Sequence, residues 1–348
     1  MSILRFLLFP FAILYYVVTR VRNYLYDIGH KKSFEFSVPV ISVGNLNTGG
    51  SGKTPMIEYL IRLLSDKEQV TTLSRGYGRK TKGLRFAGVH DSAMTLGDEP
   101  FQLFTKFGRY VRVVVGEDRA FAIPNILHEH PDTTAILLDD AFQHRSVKPH
   151  YSILVTDYSK PFFRDVILPV GNLREPRSGA ARANVVVVTK CPHDLSTSEI
   201  QSLTSRIHRY VDGPVYFSNI KYGDLIQFSG NRDSISSHVV LLTGIANTDA
   251  FDKHCRSQYT VVKHFQFADH HRYTRADILK IGEFIGSQTG QVSILTTEKD
   301  WVRLSEPEFI NELKNLPCYY VPIEMVFIKN GSEFDKQVVE AIKLPEEV

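Results

Sequence analysis

A glycine-rich loop between residues 44 and 55 has the composition and spacing of a phosphate-binding loop. Glycines let successive backbone N–H groups surround phosphate oxygens, while a lysine reaches the outer phosphates and a threonine hydroxyl binds Mg²⁺. The general pattern has glycine at position 47, where this chain has Asn47. Asparagine is acceptable there because it tolerates a left-handed backbone. The alternative is a glycine-rich turn that binds no ligand. The predicted nucleotide-binding residues are Asn47, Thr48, Gly49, Gly50, Ser51, Gly52, Lys53 and Thr54, and Thr54 is also a predicted metal ligand.

Two adjacent carboxylates, Asp139 and Asp140, follow the apolar run 135–138. A phosphate-binding loop needs an acidic group near its magnesium ion, at the end of another strand. Adjacent carboxylates in such a place are costly unless a cation shares the site. We therefore expect Asp139 or Asp140 to hold the metal, directly or through water, with Asp139 as the predicted ligand and Asp140 as a predicted catalytic residue. The alternative for each is a solvated carboxylate after a strand.

Several arginines lie in loops flanked by Gly or Pro after apolar runs. The ends of strands in an α/β sheet present ligand-binding groups, and arginine binds phosphate through paired hydrogen bonds. The alternative for each is a solvated surface cation. The candidates are Arg75, Arg79, Arg119, Arg174 and Arg177, of which Arg119 and Arg174 are the predicted nucleotide-binding residues.

The elements that must position these residues follow an α/β rhythm. Short runs of β-branched and aliphatic residues alternate with helical stretches such as 55–64, which predicts a mostly parallel sheet with crossover helices. We expect an N-terminal helix over 1–30, a phosphate-loop lobe over 31–220 and a second, smaller α/β lobe over 221–348. The predicted strands are 38–43, 70–73, 111–115, 135–138, 153–155 and 185–188, then 239–242, 260–262, 292–295 and 319–321.

The N-terminal segment has the pattern of a helix that lies in a membrane surface. Residues 6–18 are apolar except that Pro10 interrupts them, and the run is shorter than the roughly 20 residues that cross a bilayer. Interleaved basic and aromatic residues follow, from Arg20 to Lys32, and can face anionic phosphates. We therefore expect peripheral membrane attachment. The alternative is a terminal helix packed on the core of its own protein.

Composition excludes several classes of protein. The chain has 348 residues, 43% of them hydrophobic and 23% charged, which excludes a wholly disordered or fibrous protein. A formal net charge of +3 gives no indication of nucleic-acid binding, and none is expected. The three cysteines are far apart, so we expect neither a disulfide framework nor a zinc module. A reducing cytoplasm fits best.

Taken together, the order of the motifs closely resembles that of the tetraacyldisaccharide 4′-kinase family, the lipid A 4′-kinases. The likeness spans nearly the whole chain and is far more specific than the phosphate loop alone. One mild departure is Ala141, where relatives often have glycine. The matching motifs are 44–46 (GNL), 49–55 (GGSGKTP), 73–79 (LSRGYGR), 97–100 (GDEP), 138–144 (LDDAFQH), 171–176 (GNLREP), 269–270 (DH) and 297–300 (TEKD).

The resemblance implies a reaction and roles for further residues. It implies transfer of the ATP γ-phosphate, with Mg²⁺, to the 4′-hydroxyl of a tetraacylated glucosamine disaccharide-1-phosphate in lipid A biosynthesis. Asp98 would be the catalytic aspartate, His270 of the second lobe would pair with it, and Glu175 would join the metal or nucleotide shell. Without the resemblance, Asp98 could cap a helix and His270 could be structural. The residues alone leave open which of Asp98, Asp139 and Asp140 accepts the proton.

The same resemblance implies partners and a location. The expected partners are the acylated disaccharide lipid and, through the N-terminal helix, the cytoplasmic face of the bacterial inner membrane. No obligate protein partner is inferred.

The rival hypothesis is a P-loop GTPase or ATPase switch, or a metal-insertion protein. Such GTPases recognise guanine through Asn/Thr-Lys-x-Asp after a strand. The sequence Thr189-Lys190-Cys191-Pro192 matches only the first half and lacks the aspartate. No Cys/His cluster supports metal insertion. Comparing ATP with GTP binding distinguishes these hypotheses.

Overall fold

The computed structural model describes residues 7–230 and 234–343, which contain two β-sheets. The strands are β1 (Val40–Gly44), β2 (Val70–Ser74), β3 (Arg85–Phe86), β4 (Arg112–Val115), β5 (Ala135–Asp139), β6 (Tyr151–Asp157), β7 (Val185–Thr189), β8 (Val215–Tyr222), β9 (Ile226–Ser229), β10 (His238–Thr243), β11 (Thr260–Gln266), β12 (Val292–Thr297), β13 (Cys318–Val321) and β14 (Ile323–Phe327). The α-helices are α1 (Phe9–Asp27), α2 (Lys53–Leu64), α3 (Ala93–Leu96), α4 (Asp98–Phe107), α5 (Arg119–Glu129), α6 (Thr197–Ile207), α7 (Asp249–Gln258), α8 (Arg275–Gly286), α9 (Glu298–Leu304), α10 (Ile310–Leu313) and α11 (Gly331–Ala341).

The larger sheet has nine strands in the order β14-β8-β7-β6-β1-β5-β2-β4-β3. Every neighbouring pair from β8 to β4 is parallel, and β14 and β3 close the two edges in the antiparallel direction. The valines of β7 are almost completely buried because apolar residues cover both faces of the sheet. Parallel strands bring their carboxyl ends to one edge, so the loops after β1, β2, β4 and β5 lie on one side of the lobe.

The smaller sheet has five strands in the order β11-β10-β12-β13-β9. Its first four strands are parallel and β9 is antiparallel. Apolar residues of α8, including Ile278 and Ile281, pack on one face. Phe251 and Cys255 of α7 cover the other face, which makes this second lobe an α/β layer structure of its own.

The chain returns to the larger sheet after the second lobe. Strand β14 pairs with β8, and Phe334 and Val338 of α11 join the core of the first lobe. The expected second lobe, residues 221–348, therefore needs correction, because its described residues from Ile323 to Ala341 lie on the first lobe. The physical reason is that the exposed edge of β8 gains a hydrogen-bonded partner, a pairing that strand order alone does not reveal.

Helix α1 lies along the first lobe with one face toward it. Ala12 and Thr19 are buried, and Tyr15 donates a hydrogen bond of 2.9 Å to the carbonyl oxygen of Arg174. None of the described helices is long and apolar enough to cross a membrane. Many other apolar side chains of α1 are exposed: Phe9, Phe11, Ile13, Leu14, Val17, Val18, Val21 and Tyr24.

Candidate active site

The predicted phosphate-binding loop connects β1 to α2. Gly44 ends the strand where Phe142 approaches so closely that an added Cβ would lie 2.6 Å from the Phe142 Cβ. Gly52 has a φ of 89°, a left-handed conformation that glycine adopts without strain, and it precedes the first residue of the helix. The Thr189 hydroxyl donates a hydrogen bond of 2.7 Å to the carbonyl oxygen of Ser51. The loop is therefore held by neighbouring strands, and its N–H groups lie at a helix N-terminus, a suitable place for phosphate.

The other end of the predicted nucleotide segment is also held in place. The Asn47 side-chain amide donates a hydrogen bond of 2.8 Å to Oδ2 of Asp165. The backbone N–H of Thr48 donates to the carbonyl oxygen of Asn172 at 2.8 Å. The substitution of asparagine for glycine at position 47 thus provides an anchor for the loop.

Lys53 and Asp140 lie together at the mouth of the loop. The Lys53 Nζ is 3.5 Å from Oδ1 of Asp140 and 3.5 Å from Oδ1 of Asn45. Arg174 Nη1 donates to both oxygens of Asp140, at 2.8 and 2.9 Å. The structure therefore brings together a predicted catalytic carboxylate and two predicted phosphate-binding cations. The catalytic role of Asp140 stays a prediction.

Asp139 has the surroundings of a cation ligand. It ends β5 beside Val43 of β1, is 3% exposed, and its Oδ1 has no hydrogen-bond partner among the described residues. Burial, followed by the nearby Glu99 carboxylate, raises the pKa of Asp139 to about 7. A buried oxygen without a donor is costly, and a divalent cation would satisfy it. Thr54, in the first turn of α2, is the second predicted ligand.

These residues fit a magnesium ion that is bound together with nucleotide phosphates. Among the described residues, no group of three or more His, Cys, Asp or Glu side chains could hold a metal ion. Mg²⁺ typically takes only one or two carboxylates and completes its shell with water and substrate phosphates. The donor set of Asp139 and the Thr54 hydroxyl matches that habit.

The predicted arginines fall into two groups. Arg119 is 3% exposed and begins α5. Burial has the largest effect on the pKa of Arg119 and lowers it, and the charges of Asp140 and Arg75 lie close enough to contribute. Arg79 instead pairs with Glu117 at 2.5 Å, and Arg177 donates to the carbonyl oxygen of Asp165. Arg119 and Arg174 therefore lie near the two aspartates, whereas Arg79 and Arg177 hold loops in place.

Glu175, the third predicted metal ligand, is buried and fully hydrogen-bonded. Its Oε1 accepts from Gln143 at 2.9 Å and from Arg182 at 2.7 Å. Its Oε2 accepts from the side-chain amide of Asn23 in α1 at 2.8 Å. These contacts connect the first helix to the loop that carries Arg174. A ligand role for Glu175 stays a prediction, and the observed bonds are those of a positioning residue.

Asp98 and His270 meet across the two lobes. Asp98 is the first residue of α4, and His270 lies in the loop after β11 with a φ of 57°. The His270 Nδ1 is 3.2 Å from Oδ2 of Asp98. Burial alone would raise the pKa of Asp98, but hydrogen bonds from His270 and Arg303 bring it below its usual range. The hydrogen bond to Asp98 in turn raises the pKa of His270.

Sequence reasoning missed two cations beside this pair. Arg303 Nε donates to Oδ2 of Asp98 at 2.8 Å, and Lys299 Nζ donates to Oε1 of Glu99 at 2.7 Å. Lys299 has the largest influence on Glu99, whose pKa falls to about 2. The available signal was the 297–300 motif, which contains Lys299 and begins the helix that carries Arg303.

Comparisons with known proteins show which family the chain belongs to. A profile of the family described as LpxK, tetraacyldisaccharide-1-P 4′-kinase, matches residues 4–343. The tetraacyldisaccharide 4′-kinase of Flavobacterium psychrophilum is 44% identical, covering 99% of this chain and 98% of that protein. The enzyme of the same name from Flavobacterium johnsoniae is 42% identical, with the same coverage.

A solved structure shares the fold. The crystal structure of LpxK from Aquifex aeolicus in complex with ATP superposes with a TM-score of 0.76 at 28% sequence identity, covering 98% of this chain and 100% of that one. The predicted α/β fold with a phosphate loop is therefore confirmed. The chain belongs to the tetraacyldisaccharide-1-P 4′-kinase family.

Proposed function

We propose that this chain transfers the γ-phosphate of ATP to the 4′-hydroxyl of a tetraacylated glucosamine disaccharide-1-phosphate, a step of lipid A biosynthesis. The observation that carries the proposal is the contact between Asp98 of the first lobe and His270 of the second, which are 3.2 Å apart. Glu99, next to Asp98, lies close enough to Lys53 and Asp139 to exchange electrostatic influence with both. Family membership supplies the identity of the acceptor.

The nucleotide would occupy the loop between β1 and α2. ATP is the ligand named for the Aquifex structure, and the loop of this chain has the glycines, the lysine and the threonine of a phosphate-binding loop. Backbone N–H groups of residues 49–54 would bind the phosphates, and Lys53 would approach the outer ones. Thr54 and Asp139 would hold Mg²⁺, which supplies positive charge for the phosphate oxygens when it is bound.

Asp98 would act as the general base. It would accept the proton of the 4′-hydroxyl as that oxygen forms a bond to the γ-phosphorus and the bond to the bridging oxygen of ADP breaks. His270 and Arg303 both contact Oδ2 of Asp98, and neither of these contacts involves Oδ1. His270 would hold the carboxylate in place and keep it ionised. Because the partners come from both lobes, closure of the lobes would assemble the base.

The exposed side of α1 supports attachment to the membrane that holds the lipid acceptor. Phe11, Leu14 and Val18 share one face, and each is more than half exposed. Burial of such a side chain contributes roughly 1.5–3 kcal/mol, enough for several together to hold a protein at a bilayer surface. We place the enzyme peripherally, at the cytoplasmic face of the inner membrane, where ATP is available.

Acceptor specificity tests the proposal. Purified protein is incubated with labelled ATP or GTP, Mg²⁺ and a panel of sugars, nucleosides and acylated disaccharides. We expect label only in the acylated disaccharide and preferentially from ATP. Transfer to a nucleoside or simple sugar, or nucleotide hydrolysis with no labelled acceptor, would contradict the proposal.

A further inference from the structure

Helix α9 in the second lobe lies against the first turn of α4 in the first lobe. Two neighbouring carboxylates of α4 each meet a cation of α9. Asp98 accepts from Arg303 at 2.8 Å, and Glu99 accepts from Lys299 at 2.7 Å. The 297–300 motif forms the start of α9. The proposed reaction assigns no role to this motif.

Arg303 is rigidly held within the second lobe. Its side chain is 6% exposed, and its Nη1 donates to the carbonyl oxygen of Gly244 at 2.9 Å and to Oδ1 of Asp300 at 3.0 Å. Asp300 is completely buried. The hydroxyls of Tyr273 and Thr297 donate to its two oxygens, at 3.0 and 2.7 Å. These bonds within the second lobe fix the direction of the Arg303 guanidinium independently of Asp98.

Arg303 and His270 share one oxygen of Asp98. Both contact Oδ2, and Arg303 Nη2 lies 3.3 Å from Nδ1 of His270. The arginine is always protonated, whereas the charge on the imidazole depends on pH. Arg303 thus supplies the permanent cation of this group. The charged groups that face Asp98 are His270 and Arg303, and those that face the adjacent Glu99 are Lys299, Lys53, His270 and Asp139.

We propose that Arg303, held by Asp300, is the positioning residue that keeps Asp98 anionic and oriented, with Oδ1 as the oxygen that meets the acceptor hydroxyl. The inference rests on the proposed role of Asp98 as the base. It gives the 297–300 motif a task, because Asp300 directs Arg303 while Lys299 binds the neighbouring Glu99. Closure of the lobes then delivers a fixed cation to the base.

The test uses the full chain with detergent-dispersed acceptor and saturating magnesium-ATP. Arg303→Met should lower kcat about 10- to 100-fold and leave the KM for ATP within about twofold, because misplacing a base slows the chemical step. Without the cation the pKa of Asp98 rises, so the acidic limb of the kcat profile should move to higher pH. Arg303→Lys should recover part of kcat and part of the limb position.

Control variants separate positioning from folding and from the base itself. Arg272→Met removes another second-lobe arginine that touches the first lobe, at the carbonyl oxygen of Gly78, and should leave kcat and the acidic limb unchanged. If both Arg303 variants keep the wild-type kcat and the wild-type acidic limb while Asp98→Asn is inactive, the positioning role of Arg303 is overturned. The role of Asp98 as the base then stands. If Arg303→Met fails to fold, Arg303→Lys decides by the same two readouts. Wild-type turnover in Asp98→Asn would overturn the base and the inference with it.

Discussion

The side-chain amide of Asn23 in α1 donates a hydrogen bond of 2.8 Å to Oε2 of Glu175, whose neighbour Arg174 binds Asp140. The first helix is therefore bonded to the candidate active site and also exposes an apolar face. Deletion of residues 1–22 would remove the Tyr15 hydrogen bond together with that face. Deletion alone cannot distinguish membrane binding from support of the site.

Replacing apolar residues on the exposed face of α1 distinguishes membrane binding from support of the site. Phe11→Gln, Leu14→Gln and Val18→Gln combined should move the protein from membranes to the supernatant and lower activity on bilayer substrate, because less apolar surface enters the bilayer. Activity on detergent-dispersed substrate should stay near wild type. The matched control is Asn23→Ala, which should lower turnover in both formats. Unchanged sedimentation of the triple variant with vesicles would contradict membrane attachment through this face.

The phosphate loop should depend on Lys53. Lys53→Met should reduce turnover by at least about 100-fold without unfolding the protein, because the cation stabilises charge that develops on the phosphate oxygens. Lys67→Met changes an exposed lysine beyond the end of α2 and should have no effect. Kinase assays and thermal melting of the two variants provide the comparison. Near-normal turnover of Lys53→Met would disprove the assignment of the loop.

Asp98 and His270 should act as one unit. The single alanine variants should each reduce kcat strongly, and the double variant should be little worse than Asp98→Ala, because removal of the base already disables the unit. His270→Ala should also move the acidic limb to higher pH, since His270 helps to lower the pKa of Asp98. Kinetics across pH with saturating ATP measure both effects. Additive losses with an unmoved limb would show that the residues act separately.

A buried carboxylate between the lobes predicts a pH-dependent stability. Glu298 is 3% exposed, and burial, followed by repulsion from Glu58, raises its pKa from 4.5 to about 7 despite Lys106. The folded protein thus holds a proton that the unfolded chain releases. From this group, the free energy of unfolding should fall as pH rises from about 4.5 to about 7, by roughly 1–3 kcal/mol.

Glu298→Gln should remove that dependence. Urea unfolding at several pH values should show a smaller loss of stability in this variant than in the wild type. Glu283→Gln, at an exposed position of α8, is the control and should follow the wild-type curve. A Glu298→Gln curve parallel to the wild-type curve would mean that Glu298 is ionised throughout.

Local patterns predicted the elements that depend on neighbouring residues. The phosphate loop, the carboxylates at the end of β5 and the valine strand β7 all follow from short runs whose residue types determine their environment. The strands β3, β8, β9 and β14 were not predicted, because their runs are short or mixed with polar residues and their pairing depends on distant partners.

Long-range pairs required other information. Asp98 and His270 are 172 residues apart, so the family resemblance, and not spacing, predicted their contact. Arg303 was missed because a cation on a short helix has the same local pattern as a solvated one. Its function depends on burial against Asp300 and on the approach of α4, and both are properties of the folded chain.

The position of the transferred phosphate tests the central claim most directly. Purified protein is given γ-labelled ATP, Mg²⁺ and either tetraacyldisaccharide-1-phosphate or the matched acceptor that lacks the 4′-hydroxyl, and the product is mapped by mass spectrometry. We predict one added phosphate at the 4′ position of the first acceptor and no label in the second. Label in the acceptor without a 4′-hydroxyl, or at any other position of the first, would contradict the assignment.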